Sequence, residues 1–163
     1  MLIGIISDTH DHVPHTQEAV EQFRQRDVDL VLHAGDYCSP FIIPHFEGLN
    51  FKGILGNNDG DLHTLMQKFD DIGAELAGGF LELEAGGLSI AMYHGTHEGI
   101  TNSLHRSGNY DVVISGHTHE QVNSKMGNTQ VINPGTAHGF GDQPSIAILD
   151  TDSRKVSFVE LNS

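Results

Sequence analysis

Five times along this chain a short apolar run breaks off into side chains that can bind a metal, and this repetition constrains the fold more than any other feature. Ile3-Gly4-Ile5-Ile6-Ser7 ends in Asp8, with His10 two positions on. Leu30-Val31-Leu32-His33-Ala34-Gly35 ends in Asp36, and Lys52-Gly53-Ile54-Leu55-Gly56 ends in Asn57. Leu88-Ser89-Ile90-Ala91-Met92-Tyr93 ends in His94. Val112-Val113-Ile114-Ser115-Gly116 ends in His117, with His119 two positions on. Runs this short, rich in Ile and Val and stopped by polar residues, predict buried strands. If they are neighbours in one sheet, all seven donors gather at one edge, since ligands of open α/β sheets collect beyond the carboxyl ends of the strands. In extended backbone the spacing of Asp8/His10 and of His117/His119 puts each pair on one side.

The segments between these runs predict helices first and hairpins later. Pro14 opens a helix carried by Thr16 to Arg26, with Ala19, Val20 and Phe23 facing inward. Ser39-Pro40 is a cap-and-opener pair for a short helix to about Phe46, and Leu62 to Phe69 carries an apolar stripe. Glu98 to Arg106 reads as a third helix. Strands at 80–84 and 88–93 flank Ala85-Gly86-Gly87, strands at 121–126 and 129–132 flank Gly127-Asn128, and strands at 145–149 and 155–161 close the chain. Strand–helix alternation followed by antiparallel hairpins implies helices packed outside a largely β centre.

With 163 residues and no low-complexity tract or charged linker, residues 1–163 are expected to form a single domain. No run of 18 or more apolar residues occurs, so a membrane span is not expected. The single cysteine, Cys38, excludes an internal disulfide and fits a reducing cytoplasm. Twenty-two acidic residues face only eight basic ones, a formal net charge of −14. A surface this negative repels phosphate backbones and disfavours a nucleic-acid partner, although bound divalent cations would reverse the field locally. The same surplus fits a high-salt source or an ordinary acidic surface equally well. A donor set of Asp, Asn and His without thiolate suits Mn²⁺, Fe, Zn²⁺, Ni²⁺ or Co²⁺ better than the all-oxygen preferences of Mg²⁺ and Ca²⁺.

With these motifs on the page, the chain resembles the calcineurin-like metallophosphoesterases. That family's pattern is Asp-x-His, Gly-Asp, Gly-Asn-His-Asp or Glu, a lone His, and Gly-His-x-His. This sequence supplies Asp8-Thr9-His10, Gly35-Asp36, Gly56-Asn57-Asn58-Asp59, His94-Gly95 and Gly116-His117-Thr118-His119, across nearly its whole length. The Asn133-Pro134-Gly135-Thr136 turn and the compact length are most similar to the small bacterial and archaeal phosphodiesterase branch, a relative of which is the retromer subunit that keeps this fold. The resemblance implies an α/β (α+β) fold, a four-layer αββα sandwich of two mixed β-sheets flanked by helices. It implies two divalent metal ions, Mn²⁺ foremost with Ni²⁺, Zn²⁺, Fe or Co²⁺ as alternatives. Asp8, His10 and His119 would hold one ion, Asp36 would bridge, and Asn57, His94 and His117 would complete the second site. The implied activity is hydrolysis of small or activated phosphodiesters by attack of a metal-bound hydroxide at the dinuclear centre. A phosphomonoesterase and a non-catalytic metal-binding scaffold are the alternatives. The implied partner is a small-molecule phosphoester, with a homo-oligomer, dimer or tetramer, left open.

One departure from the pattern is Asn58, which stands where many relatives carry a histidine that protonates the leaving oxygen. An amide supplies no such proton, and a general-acid contribution of about 10²–10⁴ is expected to be missing. His97 follows His94 closely and is either a substitute acid or an exposed loop residue. His33 reads either as a residue that supports Asp36 or as a packed strand histidine, the latter foremost, and His138 as a residue facing the cleft. His12, His15, His45, His63 and His105 are expected at the surface, and Cys38 as a small buried residue.

Overall fold

The computed structural model describes residues 1–140 and 143–162, so only Ser163 of the expected 1–163 domain and the 141–142 pair lie outside it. The period-two geometry of a strand sorts the apolar residues of the opening segments onto two faces. In β1 (Leu2–Ile6), Ile3 and Ile5 join one core and Ile6 the other; in β2 (Leu30–His33), Leu30 and Leu32 part from Val31 in the same way. β3 (Phe51–Gly53) and the two-residue β4 (Glu75–Leu76) continue this sheet in parallel. Near the chain end, β10 (Ser145–Asp150) pairs antiparallel with β1, and β11 (Lys155–Glu160) with β10. The order of this first sheet is β11-β10-β1-β2-β3-β4.

The second sheet runs β5-β6-β7-β9-β8. Its strands are β5 (Phe80–Ala85), β6 (Leu88–Tyr93), β7 (Val112–Ile114), β8 (Gln121–Met126) and β9 (Thr129–Pro134). β6, β7 and β9 are parallel, with an antiparallel hairpin partner at each edge. Ile90, Met92, Val112, Ile114 and Ile132 face Ile3, Ile5, Leu30, Leu32 and Ile54 in a core shared by the two sheets. The two mixed sheets implied by the family resemblance are present, so the five donor-bearing runs are shared between two sheets and are not neighbours in one. The reason is connection chemistry. The turn between β5 and β6 starts a new antiparallel pair, and the parallel crossovers that follow build on β6 instead of on β4, the edge of the first sheet.

The outer face of the first sheet is covered by α1 (Val13–Gln25), a 3₁₀ segment (Pro40–Phe46) and α2 (Leu62–Asp71). Phe46 stacks on Phe51 at a ring separation of 4.2 Å, and Phe51 stacks on Phe69 at 5.1 Å, all three buried. Each such pair adds about 0.5–1.5 kcal/mol to the area it removes from water. On the second sheet, α3 (Glu98–Ser107) meets β9, buries none of its residues, and ends at Gly108 in the left-handed conformation.

Two local expectations are corrected. Ser39 precedes the 3₁₀ segment without capping it; its hydroxyl donates instead to Asp11 at 2.8 Å. His12 and His15 are not idle surface residues. His12 Nδ1 accepts from the His15 backbone N–H and so caps α1, while the buried His15 ring donates to the carbonyls of Ala137 and His138 at 3.2 and 3.0 Å. Among the described residues, no helix is long and apolar enough to cross a membrane.

Candidate metal centre

The carboxyl ends of β1, β2 and β3 in one sheet and of β6 and β7 in the other meet at one end of the sandwich, and every donor expected from sequence sits on a loop there. The sheets are locked together by the donors' own backbone contacts. The His117 N–H donates to Asp8 Oδ2 at 3.0 Å, and His94 Nδ1 donates to the Ala34 carbonyl at 2.7 Å. Gly116 makes the first contact possible, because a Cβ there would overlap Ser7 Oγ and Asp8 Oδ2. Gly56 does the same beside Asp36, whose Oδ1 a Cβ would strike.

The loop backbone is not extended, which corrects the sequence argument for the paired donors. Asp8, His10, Asp36, His117 and His119 all take positive φ, at 53°, 41°, 62°, 67° and 62°. Such conformations in non-glycine residues cost on the order of 1–3 kcal/mol each and persist where surrounding contacts force them. The pairs do converge, but through left-handed turns instead of strand alternation.

Asp8 lies at the focus. Its Oδ1 stands 3.2 Å from His119 Nε2, 3.7 Å from His10 Nε2 and 3.9 Å from His94 Nε2. Asp36 Oδ2 lies 3.6 Å from His10 Nε2 and 3.3 Å from His94 Nε2. Burial alone would raise the Asp8 carboxyl, but the nearby His10 imidazole, hydrogen bonds from His119 and Ser7, and His94 hold it well below the usual carboxylate range. Burial likewise opposes ionisation of Asp36, and His94 with the backbone and amide of Asn58 reverses that. The His10 imidazole is raised, first by the Asp8 carboxylate 3.7 Å away. His94 is lowered by burial and then raised further by Asp36 and Asp8.

These donors fit divalent cations. The ligating atoms of Asp8, His10 and His119 lie within 4.8 Å of one another, as do those of Asp8, Asp36 and His94. Bonds of about 2.0–2.2 Å place two donors of one ion no more than about 4.4 Å apart, close to this spacing. His10 Nε2 and His94 Nε2 are buried without a hydrogen-bond partner. An unpaired buried nitrogen costs about 1–3 kcal/mol, a cost that coordination removes. The second His94 nitrogen is already committed to Ala34, which fixes the tautomer that leaves Nε2 free to ligate.

The other expected residues are placed as follows. Asn57 is exposed in the loop after β3, and its Oδ1 accepts from Thr96 Oγ1 at 3.2 Å. The His117 ring packs edge-on against His94 with centroids 5.3 Å apart. Asn58 holds Asp36 twice, from its backbone N–H to Oδ1 and its amide to Oδ2, both at 2.8 Å. His97 is the exposed N-cap position of α3, and among the described residues no hydrogen bond or ring contact links it to the donors. His33 is fully buried: its Nδ1 accepts from the Gly35 N–H at 3.1 Å, so Nε2 carries the proton toward Thr9 Oγ1 at 3.2 Å.

Four supporting contacts complete the centre, and of their residues only His138 was expected at the cleft. Asp59 accepts from the backbone N–H groups of Asp36, Cys38 and Gly56 at 3.0, 2.9 and 2.7 Å, tying the β2 loop to the β3 loop. Cys38 is half-buried and stands 3.3 Å from His10 Nδ1, not packed away as expected; burial, with Asp11 and Asp36, pushes its thiol up to about 11. His138 Nε2 stands 3.1 Å from His119 Nδ1. Thr136 donates to the Asp8 carbonyl at 3.0 Å. Only the short reach of Asp59 and Cys38 from Asn57 and Asp36 was a usable signal.

Comparison with known proteins agrees with this geometry. Residues 1–154 match the model of the calcineurin-like phosphoesterase superfamily domain. Phosphodiesterase MJ0936 of Methanocaldococcus jannaschii is 42% identical over 159 residues, covering 95% of this chain and 96% of that protein. A solved structure described as a novel archaeal phosphodiesterase superposes with a TM-score of 0.94 at 39% identity, over 99% of this chain and 100% of that one. The zinc complex of Vps29 from Entamoeba histolytica shares the fold, with a TM-score of 0.68 at 20% identity over 99% of this chain and 100% of that one.

Proposed function

The chain belongs to the calcineurin-like phosphoesterase superfamily, and from that premise we propose that it hydrolyses small or activated phosphodiesters at a dinuclear centre of divalent cations. The observation that carries this reading is the convergence of two unpartnered imidazole nitrogens, on His10 and His94, upon the two carboxylates Asp8 and Asp36. In this reading Asp8, His10 and His119 hold one ion, Asp36 bridges, and Asn57, His94 and His117 complete the second. Mn²⁺ is the proposed native ion, with Ni²⁺, Zn²⁺, Fe or Co²⁺ compatible with the same donors. The proposed setting is cytoplasmic, with residues 1–163 acting as one domain.

When bound, such cations acidify a coordinated water and neutralise the non-bridging oxygens of the phosphoester. The rest falls to the chain. Asp59 and Asn58 hold Asp36 in place, and His138 and Thr136 steady His119 and Asp8. Asn58 spends its amide hydrogen on Asp36 and has no acidic proton to give a leaving oxygen. The departing alcohol must therefore leave as a stable anion, which favours aryl and other activated esters. The net charge of −14 opposes a nucleic-acid substrate. The intact donor set favours catalysis over a scaffold role.

The test is turnover of bis(p-nitrophenyl) phosphate by chelator-stripped protein refilled with Mn²⁺, Ni²⁺, Zn²⁺ or Mg²⁺, alongside folded Asp36→Asn and His117→Ala variants. Metal-dependent turnover that both substitutions abolish supports the reading. Undiminished turnover in both defeats it.

A further inference from the structure

A hollow of about 320 Å³ opens beside the metal centre on the side of the second sheet. Ser115, His117 and Thr118 wall it from the loop after β7, and Thr96, Glu98 and Thr101 from the loop after β6 and the start of α3. Two of these residues join it to the centre: the His117 ring packs on His94, and Thr96 donates to Asn57. The hollow lies at the lower end of the size range of ligand pockets, enough for a small arm of a substrate.

Its chemistry is one-sided. Four hydroxyl groups line it, of which Thr96 and Thr101 spend their hydrogens on Asn57 and the His97 carbonyl and are left as acceptors, and Glu98 adds an acceptor that is also an anion. Glu98 accepts only one long bond, from Asn102 Nδ2 at 3.3 Å. Among the described residues, no lysine or arginine lines the hollow. Arg24, Arg26, Lys52, Lys68 and Arg154 are bonded elsewhere. Arg106 stands eight positions beyond Glu98 on α3, about 12 Å along the helix axis. The cations of the metal centre can neutralise the phosphoryl group itself, but nothing in the wall compensates a second anion further out.

Resting on the phosphodiesterase reading, we propose that this hollow receives the alcohol that stays on phosphorus. The site selects a small alcohol bearing an ammonium or hydroxyl group, accepts an apolar one less well, and rejects one bearing a carboxylate or a further phosphate. Glu98 is the residue that sets the charge preference. It acts on the substrate arm and not on the reacting bond.

The experiment uses four p-nitrophenyl phosphodiesters with a common leaving group, whose second alcohol is 2-aminoethyl, 2-hydroxyethyl, propyl or carboxymethyl. Manganese-loaded protein is expected to rank them in that order by kcat/KM. In Glu98→Gln the advantage of 2-aminoethyl over 2-hydroxyethyl shrinks by about three- to fivefold, the range of an exposed ion pair. The advantage of 2-hydroxyethyl over propyl remains. In Glu98→Lys the carboxymethyl ester overtakes the 2-aminoethyl ester. Turnover of all four without charge order, or ratios unmoved by both substitutions, overturns the inference and leaves the diesterase reading standing. Turnover of none of the four removes that reading and the inference with it.

Discussion

The two faces of this sandwich are built to different standards. The first sheet is sealed by α1, the 3₁₀ segment and α2 over a stack of buried phenylalanines. The second carries α3, which buries none of its residues and leaves Ile100 about half exposed. The two carboxylates and the two outer histidines of the metal centre follow the same line, while His94, buried on the second sheet, and Asn57, exposed on the first, cross it. Asp8 and Asp36, on first-sheet loops, are 0% and 1% exposed, whereas His117 and His119, on the second, are exposed. The lesson is that the charges which must stay fixed are set in the well-packed half. The hollow proposed to receive the substrate's alcohol is set in the thinly packed half.

The largest expected effect tests the rigid half chemically. Asp36→Asn should lower kcat/KM of the metal-loaded protein by about a thousandfold or more, the several kcal/mol that metal-ion catalysis supplies. Steady-state kinetics at saturating Mn²⁺ measures it. A drop of less than tenfold would separate the buried carboxylate from the chemistry.

Next comes packing. Phe51→Ala should destabilise by about 3–5 kcal/mol, and Ile100→Ala by no more than about 0.5 kcal/mol. Urea unfolding of both variants decides it, and equal losses would erase the distinction between the faces.

The third effect is a pH slope seated in the buried half. Burial pushes the His33 imidazole down to about 3, against an ordinary 6.5. Above 6.5 neither state binds this proton. Below it the unfolded chain takes up a proton that the folded chain refuses, because His33 Nδ1 is occupied by the Gly35 N–H. Its contribution to stability is thus present above pH 6.5 and lost as pH falls towards 3. His33→Gln should flatten that slope. The readout is the difference between the two chains, because the raised His10 and His94 act with the opposite sign, stabilising at low pH and losing that as pH rises.

The smallest effect lies at the border between the halves. His138→Gln should weaken metal affinity by about tenfold, as removal of a residue that orients a ligand does, with little change in thermal stability. Calorimetric titration of stripped protein with Mn²⁺ measures it, and an unchanged affinity would make the His138–His119 contact incidental.

Much of the centre was legible before any coordinates. Each donor follows an apolar run, and the physical rule that strands end where polar loops begin placed Asp8, Asp36, Asn57, His94 and His117 at strand ends. The supports were not legible in the same way. His138 reaches His119 across 19 residues, Asn58 reaches Asp36 across 22, and Thr136 reaches Asp8 across 128. No local period encodes such pairs. The left-handed turns at Asp8, His10, Asp36, His117 and His119 were hidden too, because their side chains disfavour positive φ and only tertiary contacts impose it.

By itself the sequence determined which segments become strands and which side chains stand at their ends, since both follow from periodicity and residue type over a few neighbours. Tertiary structure alone decided that the strands divide between two sheets, and that His94 reaches across from one to stand beside Asp36 on the other. It also decided that Asn58 restrains the Asp36 carboxylate. Those outcomes depend on which distant backbones approach closely enough to share hydrogen bonds, and that is set by the packing of whole layers.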